Sequence, residues 1–287
     1  MECINPAPKI EVRLAAPSTF HQYWVYSKGR RAVKRTRRVL RGLAAMRILL
    51  LADIHGNWPA LQAIQESHDV CVCLGDLVDY GLEPGPCIAW VRRSCQHVIR
   101  GNHDHAVAQD VRTNGQKGYK YLTAVTRPVT RERSSEDDLR YLSRLPVART
   151  VTLGDTRFLF VHATPRDPLD EYAAADSQFW ARRLVDVEAD VICVGHTHQQ
   201  YVLEVGGKLV INPGSVGQPR DGDPRAAYAI IEDNRVELKR AEYRIEEAVR
   251  VVEDSSLPDT AKEMLVHVLR VGGNGQSVGS RQPAAGG

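Results

Sequence analysis

Five short apolar runs, each closing on an acid, an amide or an imidazole, constrain this chain more than any other feature. The run 48–52 ends at Asp53-Ile54-His55, and the run 70–74 at Gly75-Asp76. The run 97–100 ends at Gly101-Asn102-His103-Asp104, the stretch 151–161 at His162, and the run 191–194 at Gly195-His196-Thr197-His198. Short apolar runs bounded by turn residues read as buried strands. Helical spacing falls between and after them, at 59–66 behind Pro59, and at 86–93, 178–188, 244–254 and 258–270. Ser134 or Ser135 ahead of Glu136-Asp137-Asp138 opens another helix over Leu139, Leu142 and Leu145. Residues 200–205, 208–211, 227–231 and 235–240 read as strands of a meander, turning tightly at Gly206-Gly207 and Asp233-Asn234. Strands alternating with helices define an α/β fold.

Strand ends on one edge of such a sheet converge on a single crevice. Taken singly, each residue here has an ordinary reading: an Asp after a strand caps a turn, and a lone His belongs to surface or core. Taken together, five independent strand ends carrying ligand-type side chains defeat that reading. Two carboxylates, an amide oxygen and several imidazoles form the mixed donor set of Mn, Fe, Co, Ni or Zn rather than of Ca or Mg.

Composition narrows the partners. No apolar run among the 287 residues approaches the roughly 20 needed to span a membrane. Six cysteines, at 3, 71, 73, 87, 95 and 193, form no paired framework, so free thiols and a cytoplasmic location are expected. The net charge of +3 is uneven: residues 1–45 carry +8, which leaves residues 46–287 at −5. The basic head reads as an anion-binding arm, a targeting segment, or an extension upstream of a domain that starts at Met46. The expected plan is a basic extension over 1–45, disordered or preceding the true start, one domain over 46–271, and a disordered Gly/Ser/Pro-rich tail over 272–287. The acidic body argues against nucleic acid as partner.

The segments Asp53-Ile54-His55-Gly56-Asn57, Gly75-Asp76-Leu77-Val78-Asp79, Gly101-Asn102-His103-Asp104, Val161-His162 and Gly195-His196-Thr197-His198 resemble the calcineurin-like metallophosphoesterases. Pro165-Arg166-Asp167-Pro168 and Asn212-Pro213-Gly214-Ser215 are similar to a bacterial branch labelled phosphodiesterase or diadenosine tetraphosphatase-like. The resemblance implies a four-layer αββα sandwich of two mixed β-sheets holding two divalent metals, Mn first, with Fe, Ni, Co or Zn as alternatives. It implies Asp53, His55, Asp76 and His198 on one metal and Asp76, Asn102, His162 and His196 on the other, with Asp76 bridging. A hydroxide between the ions would attack phosphorus in line. His103 would protonate the leaving oxygen, and Asp79 would orient and charge-stabilise that imidazole. The substrate implied is a small phosphorylated molecule, a monoester or diester, with nucleotides in range; the oligomeric state is not fixed.

Two departures matter. Tyr80 precedes Gly81 where the family's protein Ser/Thr phosphatases carry a phosphate-binding Arg, and Asp104 stands where they carry Glu. Both argue against a dedicated phosphoprotein phosphatase, while His103 keeps monoesters in range. Arg166 and Asn57 are the candidate substrate contacts; Arg100 and Arg220 are weaker ones, since a guanidinium pairs well with phosphate oxygens but is more often solvated. Ser215 reads as a turn residue, and His21 and His105 as surface residues. Two competing functions remain: an idle binding scaffold of the same fold, as in a retromer subunit, which predicts missing ligands, and a nuclease aided by the basic head.

Overall fold

The computed structural model of the chain describes residues 32–35, 39–43 and 46–273. Most of the basic head, Cys3, His21 and the segment 274–287 lie outside the described residues.

β2 (Ile48–Leu51) is apolar at every position because both its faces are covered. Leu49 and Leu51 pack under α1 (Trp58–Gln62) and α2 (Pro84–Ser94), whereas Ile48 and Leu50 meet Phe158, Phe160 and Ile211 of a second sheet. β3 (Val70–Cys73) repeats the pattern, with Cys71 and Cys73 toward the helices and Val72 between the sheets. β2, β3 and β4 (His97–Val98) are parallel, and β10 (Ala226–Glu232), β11 (Arg235–Ala241) and β1 (Ala32–Arg35) complete this first sheet in antiparallel pairing. The order is β1-β11-β10-β2-β3-β4.

The second sheet runs β5-β6-β7-β9-β8. It is built from β5 (Ala148–Leu153), β6 (Thr156–Val161), β7 (Val191–Cys193), β8 (Gln200–Val205) and β9 (Lys208–Pro213), with parallel β6–β7 and β7–β9 pairs inside antiparallel edges. Its outer face is covered by α6 (Ser177–Arg183), where Trp180 packs with Val161, Ile192 and Tyr201. The expected αββα sandwich of two mixed sheets is what the chain forms. α3 (Asn102–Ala108) and α5 (Glu136–Arg144) lie over the first sheet, and α5 starts at a Ser135 cap that accepts from Asp138 N at 3.1 Å. α4 (Gly118–Glu132), α7 (Ile245–Glu253) and α8 (Asp259–Val271) contribute to a separate cluster around Tyr80 and Leu82. No helix among the described residues is long and apolar enough to cross a membrane.

Two local expectations differ from the structure. The stretch 151–161 is not one strand but part of the β5–β6 hairpin, which turns at Gly154 with φ +56°. The four strands read as a meander are two hairpins in different sheets, β8–β9 in the second and β10–β11 in the first. Turn chemistry specifies which neighbours pair but not which sheet receives them. The segment between these hairpins crosses from one sheet to the other. Val39, Leu40 and Leu43 are buried between the sheets. Arg41 ties that stretch to the β5–β6 hairpin: its N–H donates to Thr156 Oγ1 at 2.7 Å, and its carbonyl accepts the same hydroxyl at 2.8 Å. The described cysteines, 71, 73, 87, 95 and 193, are free thiols, as expected.

Candidate metal centre

The loops after β2, β3, β6 and β7 meet at the seam between the sheets. Two groups of side chains gather there, Asp53 with His55 and His198, and Asp76 with His162 and His196, the ligand-type atoms of each group lying within 4.8 Å of one another. Asp76 stands between the groups: its Oδ2 is 3.2 Å from His162 Nε2 and 3.8 Å from His55 Nε2. Asp53 Oδ1 is 3.4 Å from His198 Nε2, and His55 Nε2 is 3.1 Å from His198 Nε2.

The backbone is bent to achieve this. Asp53, His55, Asp76, His196 and His198 all have φ between 48° and 65°, a left-handed conformation that side chains other than Gly rarely adopt. Each such residue costs on the order of 1–3 kcal/mol, and strain of this kind clusters at functional sites. Close approach adds a steric demand, since a Cβ at Gly101 would overlap Asp76 Oδ1.

Imidazole orientation is set from behind. His55 Nδ1 donates to Val78 O at 2.8 Å, His162 Nδ1 to Leu74 O at 2.7 Å and His198 Nδ1 to Gln218 O at 2.6 Å. A proton held on Nδ1 leaves the Nε2 lone pair facing the carboxylates, the tautomer a metal requires. Burial keeps His55 and His198 neutral, well below the ordinary imidazole range. Burial and the neighbouring His162 charge push His196 down to about 3. At His162 burial is outweighed by Asp76, which raises it to about 10, so without a cation a proton takes the place between imidazole and carboxylate. His162 Nε2 and Asn102 Oδ1 are buried without a hydrogen-bond partner, two orphaned polar atoms at the places where donors to a cation are wanted. The donor set fits two borderline divalent ions.

His103 and Asp79 adjoin this centre. His103 N donates to Asp76 Oδ1 at 2.9 Å, and its Nδ1 donates to Asp79 Oδ2 at 2.7 Å. Burial lowers the His103 pKa, but Asp76 and Asp79 together raise it above the ordinary value. Asp79 is itself gripped by Arg127 of α4, whose Nε and Nη2 donate to the same Oδ2 at 3.0 and 2.6 Å. Nothing in the sequence marked Arg127, which lies 48 residues from Asp79 on a helix without a motif. Asp104, read only as a departure, accepts from Asp76 N (2.8 Å), Leu77 N (2.8 Å) and Gly101 N (3.0 Å) and so joins two of the loops.

The expected substrate contacts fare differently. Asn57 spends its amide on the protein: Oδ1 caps α1 through Ala60 N at 3.2 Å, and Nδ2 donates to Gly217 O at 2.9 Å. Arg166 is exposed, and its charge is felt at Glu171. Arg100 donates to Ser143 O at the end of α5. Ser215 is a turn residue as expected, with Oγ donating to Asp53 O at 2.7 Å and accepting from Gln218 N at 2.8 Å. The turn 215–220 is thereby knitted to the Asp53 and His198 loops, and it delivers Arg220, whose guanidinium lies 3.9 Å from the Tyr119 ring centroid.

This fold has counterparts. The chain belongs to the calcineurin-like phosphoesterase superfamily, whose domain matches residues 46–235. It is 32% identical over 247 residues to an uncharacterized protein of Methanocaldococcus jannaschii, covering 76% of this chain and 96% of that protein. The crystal structure of a metallophosphoesterase from Sphaerobacter thermophilus superposes with a TM-score of 0.65 at 33% identity, covering 79% of this chain and 99% of that one. A hypothetical protein of Pyrococcus horikoshii OT3 shares the fold with a TM-score of 0.68 at 21% identity, covering 79% and 99%.

Proposed function

We propose that this protein hydrolyses phosphate esters with two divalent metal ions, Mn first among the candidates, held by Asp53, His55, Asp76 and His198 on one side and by Asp76, Asn102, His162 and His196 on the other. The observation that carries the reading is the set of three buried imidazoles whose Nδ1 protons are tied to backbone carbonyls while their Nε2 atoms face Asp53 and Asp76. When bound, the ions supply an activated water and neutralise charge on the phosphoryl oxygens.

The chain's own groups do the rest. Asp76 serves both ions, and Asp53 and Asp76 offset part of their charge. His103, oriented through Nδ1 by Asp79, presents Nε2 as the proton donor to the leaving oxygen. Arg127 keeps Asp79 in place for that task. The substrate is a small phosphorylated molecule, with nucleotides in range. The free thiols support a reducing, cytoplasmic location. The scaffold alternative predicts a missing ligand or acid, and neither is missing. The domain extends upstream of Met46, a reading supported by the burial of Val39, Leu40 and Leu43.

The test is a hydrolysis screen of mono-, di- and dinucleotide esters with chelator-stripped protein, with and without added Mn. Mn should restore cleavage, and Asp76→Asn should depress every activity together. Asn tolerates the left-handed backbone at this position, so the variant reports on chemistry rather than fold. Metal-loaded protein that cleaves no phosphorus–oxygen bond ends the proposal.

A further inference from the structure

Arg220 is a half-buried cation without an anion. Its backbone N donates to His198 O at 3.3 Å, its Nη2 donates to Gln218 Oε1 at 3.0 Å, and its Nε is buried with no hydrogen-bond partner. The guanidinium is stacked on Tyr119 and lies 6.0 Å from the Tyr80 ring centroid, which fixes its direction. Among the described residues no carboxylate stands within ion-pair distance of it, although Arg127, Arg183 and Arg240 each have one. Its charge is felt at Asp53, His55, His196 and His198, so it faces both residue groups.

A lone guanidinium beside two cation sites repels what those sites hold, unless an anion completes the arrangement. The carboxylates at the centre do not complete it. Asp53, Asp76 and the adjoining Asp104 supply at most three negative charges against the four positive charges of two divalent ions, and Asp79 is committed to Arg127. The remaining positive charge, with Arg220 added, matches a group carrying two negative charges better than one carrying a single charge.

We propose that Arg220 is a specificity-determining residue that reserves this site for a terminal phosphoryl group, the dianionic end of a phosphomonoester, over the monoanionic phosphodiester linkage. The inference rests on the phosphoesterase reading above and goes beyond it by naming the substrate class and the residue that selects it. Tyr119 acts as the positioning residue, holding the planar cation so that little freedom is lost when phosphate binds.

The experiment compares wild type, Arg220→Met and Arg220→Lys in the Mn-loaded full-length protein, using p-nitrophenyl phosphate and bis(p-nitrophenyl) phosphate, which share a leaving group. Removing the guanidinium should lower kcat/KM for the monoester by about 10- to 100-fold, the range of a charge-assisted hydrogen bond, and weaken inhibition by inorganic phosphate in parallel. The diester should lose less, and Arg220→Lys should recover part of the monoester rate. Calorimetric titration of Mn into stripped protein without substrate should show tighter binding in Arg220→Met, because a repelling cation is gone. Equal losses on the two esters, or an unchanged monoester rate, overturn the proposal. A wild type that cleaves neither ester instead sinks the phosphoesterase reading, while the Mn titration still tests whether Arg220 opposes the metals.

Discussion

Asp104 is the junction on which the centre's geometry should depend, and its removal has a calculable cost. The carboxylate accepts three buried backbone N–H groups, from Asp76, Leu77 and Gly101, at 2.8, 2.8 and 3.0 Å. Asp104→Ala leaves all three without an acceptor, at about 1–3 kcal/mol each. Water entering the vacated space satisfies part of this demand, so a net loss of about 3 kcal/mol is expected. For a domain of this size that lowers the melting temperature by roughly 6–12 °C. Asp104→Asn keeps one oxygen but turns an NH2 toward the donors, and should fall between Ala and wild type. The pH dependence follows from the acid's environment. Burial and the Asp76 charge push Asp104 up to about 6. That lies above the unfolded carboxylate value of about 3.9, so this group's contribution to stability is full below about pH 4 and is lost as pH rises through about 6. The gap between wild type and Asp104→Asn, measured by thermal melts of chelator-stripped protein, should therefore narrow as pH rises from about 4 to about 7. Mn affinity should fall with Asp104→Ala, because the loops it joins carry Asp76 and Asn102. A variant melting within about 1 °C of wild type would refute the reasoning.

Two further outcomes are expected. His103→Ala should lower turnover of alkyl phosphomonoesters by about 10²–10⁴-fold while sparing esters with good leaving groups, and Arg127→Met should show the same leaving-group signature more weakly; losses independent of the leaving group would make both residues structural. Deleting residues 1–45 should lower the urea midpoint, because Val39, Leu40 and Leu43 each contribute about 1.5–3 kcal/mol of apolar burial, whereas deleting 1–31 removes none of these side chains; equal midpoints for both truncations would contradict it.

The residues at the centre were legible because strand-end position and side-chain chemistry coincide at each of them. His162 follows its buried strand directly and Asp53, Asp76 and His196 lie two or three residues past theirs, so the polymer itself carries their convergence. Asn57 was harder, since an amide that caps a helix and an amide that binds substrate occupy the same place in the sequence. Arg127 could not be found in this way, because an arginine on an amphipathic helix carries no mark of the carboxylate it will meet. Arg220 outranks Arg166 only in space, where the turn 215–220 folds onto the Asp53 and His198 loops. Sheet membership was hidden for a related reason: hairpin signals at Gly206-Gly207 and Asp233-Asn234 are local, and the assignment of each hairpin to a layer is settled by tertiary packing.

Both residue groups draw on both layers. The first sheet sends Asp53 and His55 to meet His198 of the second, and it sends Asp76 to meet His162 and His196. An ion held in either group would therefore act as a rivet through the seam, and its binding energy would appear as resistance to the layers parting. A growing chain owns neither rivet hole until residue 196 has left the ribosome, so metal capture should belong to a late stage of folding.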